Sequence, residues 1–184
     1  MSIGAVYYYI VRVINTDGEG SPSNQPHLKA GTIPTAPLLN NPTLAVNGTV
    51  LLTWGVPQYD GGNPILQYNI YRSTQSGVLS SLIQIVDSTT LSYNDSNVVY
   101  GTMYYYTITA SNIEGEGPQS LQKQIKSCIA PSEPVNLSIS VNIYGFVVLD
   151  WSVPAYDGGD SIQGYNIYRS TTSGTLGSLI VSLS

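Results

Sequence analysis

Residues 50–77 read VLLTWGVPQYDGGNPILQYNIYRSTQSG, and residues 147–174 read VVLDWSVPAYDGGDSIQGYNIYRSTTSG. The two stretches align without a gap at a spacing of 97 residues. The same spacing aligns GAVYYYIVRVINTDGEG at 4–20 with GTMYYYTITASNIEGEG at 101–117. Self-similarity at one fixed period is the signature of a repeat protein, so the chain is predicted to contain tandem domains.

The chain is out of phase with its own repeats. Two periods would span 194 residues, ten more than the chain has, and the missing ten correspond to 88–97. Residues 34–128 form one complete repeat, whereas 1–29 carry only the end of a repeat and 131–184 only the beginning of another. Prolines at both junctions restrict the backbone, so the linkers are expected to be short and stiff.

Composition favours short strands and excludes several classes of protein. The 184 residues include 15 Tyr, 18 Gly and 11 Pro, and only 9% are charged. Aromatic side chains pack well on pleated sheets, while glycine and proline form turns. The net charge of −5, without a lysine or arginine cluster, argues against a nucleic-acid partner. No apolar run is long enough to span a bilayer. The first residues lack the pattern of a signal peptide. If the protein is exported, we expect the signal peptide to lie in a longer precursor.

Alternating side chains predict the strands of the complete repeat. Val50, Leu52 and Trp54 point to one side of the first clear strand, which places the tryptophan in the core. Further strands are predicted around Tyr68 and Ile70 and over 79–86, 89–93, 104–110 and 119–125. About seven short strands without helical periodicity indicate a β-sandwich.

Three ordered motifs resemble the fibronectin type III family, in the variety common in prokaryotic extracellular proteins. They are V-x-L-x-W from Val50, P-x-x-DGG-x-x-I-x-x-Y-x-I-Y-R from Pro57, and G-T-x-Y-x-Y-x-I-x-A-x-N-x-x-G-x-G from Gly101. The resemblance covers essentially the whole chain. It implies an all-β architecture of tandem immunoglobulin-like sandwiches, one complete and two partial, with strands A, B and E in one sheet and C′, C, F and G in the other.

The resemblance also implies roles for four aromatic residues. Trp54 and Trp151 would be core residues of the B strands. Tyr104 and Tyr7 match the F-strand tyrosine of the family, whose hydroxyl forms a tyrosine corner with nearby backbone.

The fibronectin-like arrangement places the B–C and F–G loops at the same end of the sandwich. Asp60 would then lie near Glu114 and Glu116, and converging carboxylates could hold Ca²⁺. Alternatively, Asp60-Gly61-Gly62 is only a turn, since glycine accepts positive φ angles and aspartate accepts hydrogen bonds from amides two residues on. In the partial repeats the corresponding candidates are Asp157, Asp160, Asp17 and Glu19.

Other polar and aromatic residues are candidates for surface contacts. Glycosylation patterns occur at Asn47, Asn94 and Asn136. Arg72 and Arg169 could stack on aromatic neighbours or bind an anionic sugar, or they could be exposed strand residues whose stems cover apolar surface. Outward-facing Tyr8 and Tyr105 could form a face that binds sugar or protein.

Catalysis and cofactors are not expected. His27, the only histidine, lies in a proline-flanked tail or linker, so neither a histidine triad nor a multi-histidine metal site can be assembled. Cys128 is the only cysteine, which excludes a disulfide within the chain. Because Gly31 occupies its place in the neighbouring repeat, Cys128 fits a linker residue better than a nucleophile.

The sequence predicts a non-catalytic structural or adhesion module of an extracellular or cell-surface multi-repeat protein, such as a filament or stalk. The alternative is an accessory carbohydrate-binding or spacer region of a secreted polysaccharide-degrading enzyme. The expected partners are neighbouring repeats or subunits, or a glycan or protein ligand. Both partial repeats should need strands from outside this chain, either from adjoining sequence or from a second copy, which would propagate into a filament.

Overall fold

The computed structural model describes residues 1–78 and 81–184, and the regular structure in them consists of β-strands alone. In the described residues no helix reaches the length and apolar character needed to cross a membrane. The strands are described in three groups along the chain, which follow the repeat pattern of the sequence.

The N-terminal unit consists of two small antiparallel ribbons. Its strands are β1 (Val6–Tyr8), β2 (Ile14–Asn15), β3 (Gly18–Glu19) and β4 (His27–Lys29). β1 pairs with β4, and β2 pairs with β3. The predicted F strand is therefore interrupted between Tyr8 and Ile14.

The complete repeat forms two antiparallel sheets that face each other. Its strands are β5 (Leu38–Leu39), β6 (Thr43–Leu44), β7 (Val50–Gly55), β8 (Gln67–Ser73), β9 (Ser81–Asp87), β10 (Ser92–Asp95), β11 (Met103–Asn112), β12 (Gly115–Glu116) and β13 (Lys123–Lys126). One sheet has the order β10-β7-β5, with β6 also paired to β7. The other has the order β12-β11-β8-β9, with β13 also paired to β11. These are the A–B–E and C′–C–F–G sheets, so the predicted sandwich fold is confirmed.

The C-terminal unit contains four strands in two antiparallel pairs. They are β14 (Val135–Val141), β15 (Val147–Ser152), β16 (Tyr165–Arg169) and β17 (Ser178–Leu183). β14 pairs with β15 and β16 pairs with β17. The rings of Trp151 and Tyr165 meet edge to face at 5.4 Å, as those of Trp54 and Tyr68 do at 5.7 Å in the complete repeat.

The core of the complete repeat lies between its two sheets. β7 alternates between buried and half-buried residues, as expected for a strand with one face inward. The buried apolar side chains are Leu39, Val50, Leu52, Trp54, Tyr68, Ile70, Tyr104, Tyr106, Ile108 and Ala110. Thr107 and Thr109 alternate with these residues on β11 and are buried as well. The central part of β11 is therefore covered on both faces.

The E strand begins later than the predicted range of 89–93. The carboxylate of Asp87 accepts hydrogen bonds from the amides of Thr89 at 2.9 Å and Thr90 at 3.0 Å. These bonds form a turn, so β10 starts only at Ser92.

Two other predicted strands also changed at their boundaries. Of the range 79–86, Leu79 and Ser80 lie outside the described residues, and the remainder lies in β9. The last strand was predicted over 119–125 but begins at Lys123. The amide of Ser120 bonds instead to Ile108 O at 2.8 Å, before the regular pairing with β11 starts.

Candidate interface between consecutive repeats

The B–C loop contains the same Asp-Gly-Gly turn in both repeats that have this loop. In the complete repeat, Asp60 Oδ1 accepts the amide hydrogen of Gly62 at 2.8 Å, and Gly61 and Gly62 have φ angles of +81° and +80°. In the C-terminal unit, Asp157 Oδ1 accepts the amide hydrogen of Gly159 at 2.8 Å. Such φ angles favour glycine, which explains the residue types in this turn.

The turn holds the linker that leads into its own repeat. The amide of Thr32 donates to Gly61 O at 2.9 Å, and Thr32 O accepts from Asn112 Nδ2 at 2.8 Å. The same amide group of Asn112 donates to Asp60 O at 2.8 Å. The end of β11 and the B–C loop thus hold the linker between them.

The linker contacts recur at the second junction. The amide of Ile129 donates to Gly158 O at 2.9 Å, in the position that corresponds to Thr32 and Gly61. A little further on, the amide of Ser132 donates to Tyr156 O at 2.9 Å. A backbone arrangement that occurs twice at the repeat spacing belongs to the repeat itself.

The turn also touches the preceding repeat. A Cβ atom on Gly62 would lie 2.8 Å from Gly4 N, and one on Gly159 would lie 2.3 Å from Gly101 N. Gly4 and Gly101 lie just before the F strands of the preceding units. Consecutive repeats therefore meet through glycine backbones, closer than any side chain at Gly62 or Gly159 would permit.

Side-chain contacts reinforce the second junction. Lys126 Nζ lies 3.0 Å from Asp160 Oδ1, and the hydrogen bond from Lys126 lowers the pKa of that carboxyl. The rings of Tyr100 and Tyr156 lie 6.4 Å apart, and the Tyr100 hydroxyl donates to Asn47 O at 2.8 Å. At the first junction the residues equivalent to Lys126, Asp160, Tyr100 and Tyr156 are Lys29, Asn63, Ile3 and Tyr59.

The carboxylates that were predicted as calcium ligands do not converge. Asp60 caps its own turn, whereas Glu114 Oε1 accepts a hydrogen bond from Asn63 Nδ2 at 3.1 Å. In the described residues, His, Cys, Asp and Glu side chains form no group of three or more that could hold a metal ion. Glu114 and Asn63 instead lie against the linker, since a Cβ atom on Gly31 would come within 2.5 Å of both side chains.

Glu116, the third candidate calcium ligand, lies in a polar cluster on the C′–C–F–G sheet. Its Oε1 accepts hydrogen bonds from the Tyr71 hydroxyl at 2.6 Å and from the Thr109 hydroxyl. Partial burial opposes ionisation of Glu116, but hydrogen bonds from Thr109, Tyr71 and Asn69 outweigh it and lower the pKa of this carboxyl.

Of the alternatives for Arg72, the exposed strand arginine is corrected by the structure, whereas an aromatic neighbour does lie against the guanidinium. Its NH1 atom lies 2.7 Å from Asp95 Oδ2 and 2.6 Å from Asn97 O, and its guanidinium lies 5.1 Å from the centre of the Tyr104 ring. Asp95 is 1% exposed and also accepts the Tyr106 hydroxyl at 2.9 Å. Burial and, secondly, the charge of Asp95 raise the pKa of Tyr106.

The sequence does indicate that the side chain of Asp95 points toward the core. Asp95 follows Tyr93 by two positions, so it points to the same side of β10 as that tyrosine, toward the core. A carboxylate on the inner side of a strand requires a cation or several donors. Motifs alone do not reveal the buried carboxylate, because Asp95 lies within a glycosylation pattern at a predicted turn or strand end.

The tyrosine corners are present in both units that have an F strand. The Tyr104 hydroxyl accepts the amide hydrogen of Val99 at 2.9 Å. The Tyr7 hydroxyl accepts the amide hydrogen of Ser2.

His27 was predicted to lie in a tail or linker. In the structure it lies on β4, where it pairs with Tyr8 across the ribbon. Their rings lie 5.5 Å apart. Cys128 is a half-buried free thiol in the second linker.

The three glycosylation candidates are exposed. They are Asn47, Asn94 and Asn136. Asn47 Oδ1 accepts the Thr49 hydroxyl at 2.9 Å, and Asn136 has a positive φ angle of 56°. Glycosylation of these residues stays a prediction.

Comparison with known proteins agrees with this architecture. The fibronectin type III domain model matches residues 40–126. Titin of Drosophila melanogaster is 29% identical over 191 residues, which is 100% of this chain and 1% of titin. Exoglucanase B of Cellulomonas fimi is 25% identical over 150 residues, which is 77% of this chain and 13% of that protein. A crystal structure of titin domains matches the fold with a TM-score of 0.52 and 20% identity, covering 65% of this chain and 40% of that one.

The chain thus spans only a small part of the curated relatives it matches. The family match covers the complete repeat, and the repeat period extends its motifs into both partial units. Residues 40–126 thus form a fibronectin type III domain.

Proposed function

We propose that the chain is a non-catalytic structural and adhesion module of an extracellular or cell-surface multi-repeat protein, such as a filament or stalk. The observation that carries this proposal is the recurring junction, in which Thr32 and Ile129 make the same backbone contacts to successive Asp-Gly-Gly turns. Repeats that contact one another directly in series can hold two ends of a protein at a defined distance. Members of this family are generally non-catalytic modules, which agrees with that role.

The partners that fit best are further repeats of the same type. Val11 is 72% exposed, whereas its counterpart Ile108 is fully buried in the complete repeat. Tyr9 is 45% exposed, whereas its counterpart Tyr106 is fully buried. The N-terminal unit thus presents an inner sheet face that neighbouring strands would cover.

Adjoining covalent repeats cover these faces better than strand exchange between chains. Positions that correspond to 88–97 are absent from both partial units, and in the complete repeat this range carries β10 and the buried Asp95. A second copy could supply F and G strands to the C-terminal unit. It could not supply a counterpart of Asp95, so Arg169 would lack the ion pair that Arg72 forms with Asp95. Light scattering of the 184-residue chain tests this choice: a monomer at high concentration supports tandem completion, and open-ended growth with concentration supports strand exchange.

The proposed location is tested on cells that produce the protein. Antibodies against residues 34–128 should label intact cells or the surrounding medium. Label that appears only after the cells are made permeable would contradict the proposal. Intact-mass measurement of the native protein, with Asn47→Gln, Asn94→Gln and Asn136→Gln variants as controls, tests whether it is a glycoprotein.

A second candidate function is an accessory carbohydrate-binding or spacer region of a secreted polysaccharide-degrading enzyme. The similarity to exoglucanase B favours it. Affinity electrophoresis in gels that contain soluble glucans separates the candidates. Retardation that Tyr105→Ala abolishes would favour sugar binding, whereas unchanged mobility of both proteins would favour the structural module.

A further inference from the structure

We propose that the Asp-Gly-Gly turn is a docking surface for the glycine turn of the preceding repeat, and that this contact fixes the relative orientation of consecutive repeats. The inference rests on the proposed function as a series of repeats. It adds the chemistry of the partner: a fibronectin type III repeat that presents a glycine immediately before its F strand.

The two glycines of the turn face two different surfaces. A Cβ atom on Gly61 would lie 2.0 Å from Thr32 O, and one on Gly158 would lie 2.0 Å from Ile129 O. The first glycine of each turn therefore lies against the linker. Carbon and oxygen atoms in contact require well over 3 Å, roughly 3.5 Å at the optimum, so any side chain here would displace the linker.

The second glycine of each turn lies against the preceding repeat. Cβ atoms on Gly62 and Gly159 would each lie 2.9 Å from a glycine Cα atom, that of Gly4 or Gly101. The obstacle on both sides is backbone, which cannot rotate away as the end of a side chain can. The partner is thus selected by the absence of side chains on both surfaces.

Turn formation alone does not explain these glycines. Gly77 and Gly174, also 97 residues apart, have φ angles of +71° and +78°, but a Cβ atom on either would meet nothing within 4 Å. They need glycine only for the backbone angle. Gly62 and Gly159 need it both for the angle and for the contact with the neighbouring repeat.

Three contacts at the second junction together restrict both bending and twisting. At the second junction, Gly158 holds the linker, Gly159 meets Gly101, and Lys126 pairs with Asp160 at 3.0 Å beside them. The contacts of Ile129 and Gly101 are made on different parts of the turn and leave rotation only about the line that joins them, which the Lys126–Asp160 pair opposes. We therefore expect a fixed angle between repeats rather than free swivelling about the linker.

Distances between spin labels measure this angle directly. Leu121 and Ile143 are 80% and 92% exposed and lie in the complete and C-terminal repeats. Nitroxides would be attached to L121C and I143C in a C128S background of the whole chain. The unmodified junction should give one narrow distance distribution in pulsed electron resonance.

The decisive comparison is G159A against its matched control G174A. Both substitutions place alanine at a positive φ angle in the same unit, but only the first meets the preceding repeat. G159A should broaden the distribution at least twofold, and G174A should leave its width unchanged. Equal widths in the two variants, or a broad distribution at the unmodified junction, would overturn the proposal.

A charge substitution keeps the test valid if G159A perturbs its own loop. Asp160→Lys places two cations at the edge of the junction without changing a glycine. It should broaden the distribution, and the added exchange Lys126→Glu should narrow it again. An unchanged width in Asp160→Lys would then count against docking.

These outcomes are separable from the proposed function. A broad distribution at the unmodified junction removes the fixed orientation but leaves a flexible spacer. Label confined to the cell interior, or glucan binding, removes the proposed function and leaves the docking geometry intact.

Discussion

The guanidinium of Arg72 on β8 lies 2.7 Å from the carboxylate of Asp95 on β10, and this ion pair joins the two sheets of the complete repeat. The Arg72 side chain is 19% exposed and that of Asp95 only 1%. The pair is therefore shielded from water, and the Tyr106 hydroxyl provides a further donor to Asp95. A buried pair of this kind makes each partner dependent on the other.

Removing only one partner should destabilise the complete repeat. We expect Asp95→Ala to lower the free energy of unfolding by about 3 kcal/mol, because the Arg72 charge loses its buried partner. The double variant Asp95→Leu/Arg72→Met should recover much of this loss, since it leaves no charge behind. Urea unfolding followed by tryptophan fluorescence measures both.

The exposed pair Lys126–Asp160 supplies the control for that prediction. Its side chains are 36% and 65% exposed, so Asp160→Asn should leave the free energy of unfolding nearly unchanged. If Asp95→Ala costs no more than Asp160→Asn, the buried pair does not join the sheets as described.

The two equivalent tryptophans should differ in their contribution to stability. Trp54 is 3% exposed in a closed core, whereas Trp151 is half-buried in the open C-terminal unit. Trp54→Ala should cost about 3–5 kcal/mol of unfolding free energy, and Trp151→Ala clearly less, because less surface leaves a packed environment. Thermal unfolding by circular dichroism compares them. Equal losses would mean that the C-terminal unit is closed in solution.

The tyrosine corner should make a small but measurable contribution. Tyr104→Phe removes the acceptor of the Val99 amide and should cost about 1 kcal/mol. Tyr105→Phe is the control, because Tyr105 is the next residue on β11 and points to the opposite side. The same urea titration tests both variants, and a Tyr104→Phe protein as stable as the control would contradict a structural role of this bond.

Glu116 should contribute stability above pH 4.5 that is lost in acid. Its pKa in the folded protein lies below the ordinary value of 4.5, because the hydrogen bonds from Thr109, Tyr71 and Asn69 outweigh the opposing effect of partial burial. A lowered folded-state pKa means that the unfolded state takes up a proton first, so stability decreases as the pH falls from 4.5 through the folded-state value. Because Glu116 is exposed, the contribution should stay below about 1 kcal/mol.

Comparison of unfolding free energies between pH 7 and pH 3 measures the effect of Glu116. The difference between the unmodified protein and Glu116→Gln should shrink as the pH falls. A difference that is constant over this range would show that the carboxylate is not the stabilising species.

Local periodicity predicted the strands of the complete repeat, because each strand has one face in the core. β7 and β11 lie where the alternation of Val50, Trp54 and Tyr104 with their neighbours placed them. Boundaries were less predictable. The position of β10 depends on hydrogen bonds from Thr89 and Thr90 to Asp87, which alternation does not reveal.

The candidate interface was only partly predictable. The sequence correctly indicated a turn at Asp60-Gly61-Gly62 and suggested that Glu114 lies at the same end. Calcium binding by these carboxylates stays a prediction, and in the structure Glu114 bonds to Asn63 beside the linker. The contact between Gly62 and Gly4 joins residues 58 positions apart, and no motif reports it.

The 97-residue period, the family and the aspartate-capped glycine turn were determined by the amino-acid sequence alone, because they depend on residue order and on the conformational freedom of neighbouring residues. Tertiary structure alone decided that the second glycine of this turn contacts the preceding repeat and that Asp95 forms an ion pair with Arg72. Both relationships require distant segments to approach within a few ångströms. That approach depends on how the sheets and repeats pack together, which local sequence does not specify.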